Sequence, residues 1–199
     1  MDFLDLKPRA FGLDISDHSF KLVKLQSKKG FSDIEYFADL DIPDGIIEKG
    51  EIKDKEAMKK KLLELFGQVN NLPLRQKYCM VSLPEEKSFS QIIQMPKLSL
   101  EELDSALRYQ IQSYIPLPLE KVYFDWHIIE PLVDHLDHYD ILVVAYPKEI
   151  VDEYLEVLTE MGLIPLAFEN ESFSIARAVI KDGVSLEPVS YTHLTLPTN

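Results

Sequence analysis

Cysteine is almost absent from this chain of 199 residues: Cys79 is the only one. No intrachain disulfide can form, which suits a reducing compartment. Its neighbours Tyr78, Met80 and Val81 give it the setting of a buried strand residue rather than of a reactive thiol. Positive charge is also scarce. Lys and Arg number 21 against 34 Asp and Glu, a formal charge of −13, and such an excess of acid repels nucleic-acid backbones and anionic headgroups. No basic cluster with interleaved aromatics offsets it, since Lys59-Lys60-Lys61 reads as the wet face of a helix. Nucleic acid is therefore not an expected partner. Long apolar runs are missing too. Nothing approaches the ~20 residues that cross a bilayer, and Met1-Asp2-Phe3-Leu4-Asp5-Leu6 lacks the basic-then-apolar order of a signal peptide. The expectation is a cytoplasmic protein.

Residues 188–199, PVSYTHLTLPTN, lack Asp, Glu, Lys and Arg in a chain that is 28% charged. The string resembles translated sequencing adapter, and the segment is expected to be a non-native tail, outside the fold. The remainder, with 46% hydrophobic residues, has the balance of a globular protein with a proper core.

Short apolar runs at residues 11–15 and 19–26, separated by Ser16-Asp17-His18, read as a hairpin. A third strand at 31–40 follows Lys29-Gly30 and completes a three-stranded meander. Asp54 offers an N-cap to a helix whose Met58, Leu62, Leu65, Phe66 and Val69 recur at helical spacing. Strands are predicted at 77–83 and 88–95. Ser99-Leu100-Glu101-Glu102 is a capping box, and the stripe behind it comprises Leu103, Ala106, Leu107, Gln110, Ile111 and Tyr114. Ile115-Pro116-Leu117-Pro118 stops that helix. Strands at 122–129 and 139–146 follow. A helix at 149–161 with Val151, Tyr154, Leu155 and Leu158 inward is closed by Gly162. A strand at 164–168 and a helix at 172–180 end the pattern. Strands and helices alternate, so the class is α/β or α+β, with residues 88–163 forming a small β-α-β-β-α unit inserted between them.

Three stretches in order carry a resemblance. Phe11-Gly12-Leu13-Asp14-Ile15-Ser16-Asp17-His18-Ser19-Phe20-Lys21-Leu22-Val23-Lys24-Leu25 is similar to the first phosphate loop of actin-like ATPases. Leu98-Ser99-Leu100-Glu101-Glu102-Leu103, followed by Gln112-Ser113-Tyr114-Ile115-Pro116-Leu117-Pro118-Leu119-Glu120, resembles a signature segment of PilM. Met161-Gly162-Leu163 with Glu171-Ser172-Phe173-Ser174-Ile175-Ala176-Arg177 resembles the return into the main domain. The resemblance is thus to the PilM family of type IV pilus assembly proteins. It implies an α/β actin-like ATPase (ribonuclease H-like) domain related to that of FtsA, truncated before its second half. On that reading residues 1–87 begin subdomain 1A, 88–163 are the inserted 1C-like subdomain, and 164–187 return to 1A.

The resemblance further implies a scaffold rather than an enzyme. It would be a ring-forming component at the cytoplasmic side of the inner membrane, held there by the cytoplasmic tail of a PilN-like protein. ATP with Mg²⁺ is the implied cofactor. Asp14, Ser16, His18, Ser19 and Lys21 form the implied phosphate loop, with Asp14 holding the metal through bound water and Lys21 adding a point charge. The family places Gly where this chain has Ser16, and small neutral residues where it has Asp17 and His18. A carboxylate at Asp17 facing a triphosphate would be repulsive, and a plain turn capped by Asp17 is the competing reading. Glu171 matches an acid near the nucleotide, with Ser172 in place of the motif's Pro; the competing role is an ordinary acid in a first helical turn. Tyr123 and Trp126, on an aromatic-rich strand with Phe124, are candidate partner contacts. Asp134, His135, Asp137, His138 and Asp140 could ligate a metal, but their place between two strands reads as a polar hairpin loop. The alternatives are an FtsA-like division protein, a type II secretion adaptor, and a sugar-kinase-type phosphotransferase.

Overall fold

The structure, a computed structural model, describes residues 10–28, 31–69, 77–129 and 137–179. The elements in chain order are β1 (Phe11–Ile15), β2 (Ser19–Lys28), β3 (Phe31–Asp41), β4 (Ile47–Glu48), β5 (Glu51–Ile52), α1 (Lys55–Gln68) and β6 (Tyr78–Leu83). They continue with β7 (Phe89–Pro96), α2 (Leu100–Ile111), β8 (Val122–Ile129), β9 (His138–Pro147), α3 (Lys148–Glu160), β10 (Ile164–Asn170) and α4 (Glu171–Val179). This is the α/β alternation that the sequence predicts. The proposed tail at 188–199 lies outside the described residues.

Two compact units divide the chain. Of the described residues, the first takes those up to Leu83 together with Glu153–Phe168, and the second takes Pro84–Asp152 and those from Glu169. The divisions at 152/153 and 168/169 fall inside α3 and β10.

In the first unit a five-stranded sheet runs in the order β10-β6-β1-β2-β3. The meander is as predicted, with β1 antiparallel to β2 and β2 antiparallel to β3, and β6 joins β1 in parallel. Period-two alternation sorts the faces. Phe11, Leu13, Ile15, Phe20, Leu22, Cys79, Val81 and Leu83 are buried on one. Helix α1 contributes Met58, Leu62 and Leu65 to that core, and Phe66 meets Phe11 edge-on at 6.2 Å. The other face carries Gly12, Asp14, Lys21 and Ser82. A Cβ at Gly12 would stand 3.2 Å from the Val23 side chain, a tight contact.

The two-residue strands β4 and β5 are not visible in the sequence pattern. They are joined by Lys49 and Gly50, both with positive φ (51° and 74°), the backbone that a tight hairpin requires. Helix α3 ends as Gly162 predicts. That glycine has φ +78°, and Leu163 and Gly162 donate to the carbonyls of Leu158 and Thr159 at 3.0 and 2.8 Å, a Schellman closure.

The second unit contains a three-stranded antiparallel sheet, β7-β9-β8. Ile93 and Met95 of β7, Ile141, Val143 and Ala145 of β9, and Val122 of β8 bury one face against Leu103, Leu107 and Ile111 of α2. The capping box forms as predicted, with Ser99 and Glu102 exchanging bonds with each other's backbone amides. The stripe is shorter than predicted. Helix α2 stops at Ile111, and Tyr114 lies beyond it, half exposed. Beyond the helix the chain continues in turns, with Tyr114 and Ile115 both donating to the Ile111 carbonyl at 2.9 and 3.0 Å.

Candidate ligand sites

The turn between β1 and β2 is held by its two serines. The Ser16 amide and hydroxyl both donate to the Ser19 carbonyl at 3.0 Å, and the Ser19 amide donates back to Ser16 Oγ at 3.1 Å. These short polar side chains close the turn through their own hydrogen bonds. Lys21 and Asp14 are cross-strand partners. Lys21 Nζ donates to Ser19 Oγ at 3.2 Å and stands 3.8 Å from Asp14 Oδ2. The structure therefore brings Asp14, Ser16, Ser19 and Lys21 together. His18 sits at the tip, its ring exposed and 3.6 Å from Asp44, and its carbonyl accepts from Ile42 at 2.8 Å.

Asp17 faces away from this cluster. Its carboxylate accepts from the backbone amides of Lys49 and Gly50 at 2.5 and 3.0 Å, so it ties the β4–β5 turn to the β1–β2 turn. The carboxylate thus spends its hydrogen-bonding capacity on two N–H donors of the neighbouring turn. The amides of Asp17 and His18 themselves have no acceptor among the described residues. A turn with two unused N–H groups, flanked by an ammonium and a carboxylate, has the donor and acceptor set for a metal-bound phosphate.

In the second unit, residues Phe89, Gln91, Ile93, Ile111, Tyr114 and Val143 line most of a cavity of about 320 Å³. It opens beside β7, which is an edge strand of its sheet. This groove was not anticipated. Its sequence signals were the polar residues Ser88, Ser90 and Gln91 at the start of a strand and the aromatic Tyr114 just past the end of α2.

The predicted partner contacts lie on the opposite edge strand, β8, and on opposite faces of it. Trp126 is on the core side, where its indole N–H donates to Asp104 of α2 at 3.1 Å. Arg108 of α2 lies 5.2 Å from the ring of Phe124 on the same side. Asp104 is held below the usual carboxylate range, first by the Arg108 hydrogen bond and then by the indole N–H, with burial working against both. Tyr123 is on the other face. Its hydroxyl donates to Asp152 at 3.0 Å, with Lys148 5.3 Å from its ring. The two aromatics therefore cannot line one surface side by side.

Glu171 is in the first turn of α4. The capping contact comes from its neighbour Asn170, whose side chain accepts from the Ser172 amide at 2.9 Å, while the Ser172 hydroxyl donates to Glu85. In the acidic segment between β8 and β9, Asp134 and His135 lie outside the described residues. His138 Nδ1 is 2.9 Å from Asp137 and Nε2 is 3.6 Å from Asp140. No group of three metal-ligating side chains occurs among the described residues. No helix of the described residues is long and apolar enough to cross a membrane.

A mixed five-stranded sheet with a serine-closed, carboxylate- and ammonium-flanked first hairpin, together with a smaller antiparallel unit with a grooved edge, defines a two-unit α/β protein. The family profile described as type IV pilus assembly protein PilM matches residues 12–187. The chain belongs to the PilM family. Among solved structures it is similar to the PilM–PilN type IV pilus biogenesis complex, at 27% identity and a TM-score of 0.73, over 84% of this chain and 49% of that one. It thus spans about half the length of that chain. It also shares its fold with the cytoplasmic domain of EpsL, an inner-membrane component of the type II secretion system of Vibrio cholerae, at 12% identity and a TM-score of 0.50, over 79% of this chain and 55% of that one.

Proposed function

We propose that this protein is a scaffold of the type IV pilus assembly platform, which grips the cytoplasmic tail of a PilN-like inner-membrane protein and binds ATP with Mg²⁺ without using it for substrate chemistry. The observation that carries this reading is the family match over nearly all of the described chain, joined to the likeness with a PilM–PilN complex. The protein acts in the cytoplasm and reaches the membrane through its partner.

The groove beside β7 is the place for the tail. An edge strand offers unpaired backbone groups to an extended peptide, and an adjoining pocket takes one side chain. Phe89, Ile93 and Ile111 give that pocket an apolar floor, and Tyr114 gives it a half-exposed aromatic rim. Calorimetry with a peptide of the partner's cytoplasmic tail tests this. Binding is expected for the unaltered protein, with a loss of about tenfold or more in Tyr114→Ala, as for an aromatic hot spot. Absence of heat with well-folded protein overturns the assignment.

For the nucleotide, Asp14 would hold the hydrated metal, and Lys21 with the amides of Asp17 and His18 would hold a phosphate. The metal supplies charge neutralisation there. The Ser16 and Ser19 hydroxyls keep the turn in shape. The sugar-kinase reading needs a catalytic carboxylate and a substrate pocket, and no residue group described here favours it. The EpsL likeness concerns the fold alone, so type II secretion gains no support from it.

A further inference from the structure

We infer that Ser82 is a further residue of the metal–phosphate site on the first sheet. This rests on the nucleotide reading above and extends it to a strand that the hairpin motif does not contain.

Ser82 is paired with Asp14 across the parallel β1–β6 ladder, so the two side chains leave the sheet on the same face. Asp14 is in turn paired with Lys21 across the antiparallel β1–β2 ladder. A hydroxyl, a carboxylate and an ammonium therefore stand in one row over three adjacent strands, with the carboxylate in the middle. Cys79, Val81 and Leu83 of the same strand are in the core on the opposite face.

The Ser82 hydroxyl is the anomaly. The residue is only 8% exposed, and its Oγ is buried with no hydrogen-bond partner among the described residues. Leaving a buried hydroxyl unsatisfied is costly, and such an atom calls for an explanation. Packing does not supply one, because Ala or Val would fill the position without the polar atom. A ligand does. The hydroxyl is one strand away from Asp14, on the side opposite Lys21. There it can accept from a metal-bound water or donate to a phosphate oxygen, completing a row whose other two members already suit that group.

The test is equilibrium binding of a fluorescent ATP analogue, with and without Mg²⁺, to the intact protein and to Ser82→Ala, Asp14→Ala and Leu63→Ala, the last an exposed helix residue as control. Thermal midpoints without nucleotide accompany each. Ser82→Ala should keep or slightly raise the unliganded midpoint, since a buried unsatisfied group is removed. It should also weaken Mg²⁺-dependent binding by about tenfold, the size of one hydrogen bond to a charged group. Wild-type affinity in Ser82→Ala beside a loss in Asp14→Ala overturns the role of Ser82 and leaves the nucleotide reading standing. No Mg²⁺-dependent binding by the unaltered protein overturns both. A lowered midpoint in Ser82→Ala with unchanged affinity makes Ser82 a packing residue only.

Discussion

The two units of this chain solve the problem of a small sheet differently. In the first, the sheet is mixed, one face is packed with aliphatic and aromatic side chains, and the other carries a polar row from Ser82 through Asp14 to Lys21. In the second, all pairing is antiparallel, one helix covers one face, and even the polar residues of α2 serve that packing, Asp104 holding Trp126 and Arg108 lying over Phe124. Polar groups in the first unit thus share one face of the sheet, and those of α2 in the second support the core. Chance also gives each unit its own probe: Cys79 is the only cysteine and Trp126 the only tryptophan.

Cavity-forming substitutions should separate the units most strongly. Leu107→Ala, at a fully buried site of the second core, should cost about 2–5 kcal/mol and lower the midpoint read by Trp126 emission. Leu62→Ala, equally buried on α1, should cost a similar amount and be read at Cys79. That thiol is buried and pushed up to about 12 by desolvation, so it should resist disulfide reagents near neutral pH until its unit opens. A variant that left its own probe unmoved would break the comparison.

Asp17→Ala comes next. It removes two charge-assisted bonds to the amides of Lys49 and Gly50, and a loss of about 1.5–3 kcal/mol is expected from denaturant titration. Unchanged stability would show that Asp17 does not tie the turns together. Ser99→Ala, which removes the capping box of α2, should cost about 1 kcal/mol and shift the Trp126-monitored transition. The smallest effect is one of pH. The folded protein holds Asp104 below its unfolded value, so the stabilisation is present above that value and is lost as pH falls through the folded one. Trp126 emission should change below about pH 4 and should do so less in Asp104→Asn.

Much of the second unit was legible because its signals are local. The capping box, the apolar stripe and the proline stop of α2 all lie within about twenty residues, and the three strands follow the alternation of side chains. The first hairpin was legible for the same reason, and Asp14 and Lys21 follow from its register. What escaped depends on distant pairing. Asp17 finds its partners more than thirty residues away, so its carboxylate looked like a threat to phosphate rather than a tether. Ser82 meets Asp14 only through a parallel ladder, and nothing in Val81-Ser82-Leu83 announces it. Strands β4 and β5 are too short to have a period. Tyr123 and Trp126 follow the alternation of a strand, and a spacing of three puts them on opposite faces.

The central claim is that the second unit's edge receives the partner. It is tested most directly by titrating the intact protein with the PilN-like tail peptide and mapping which amides gain protection from hydrogen exchange. Protection concentrated in β7 and around Tyr114 is the predicted result. Saturating peptide that leaves those amides exchanging as before, while protecting others, would contradict it.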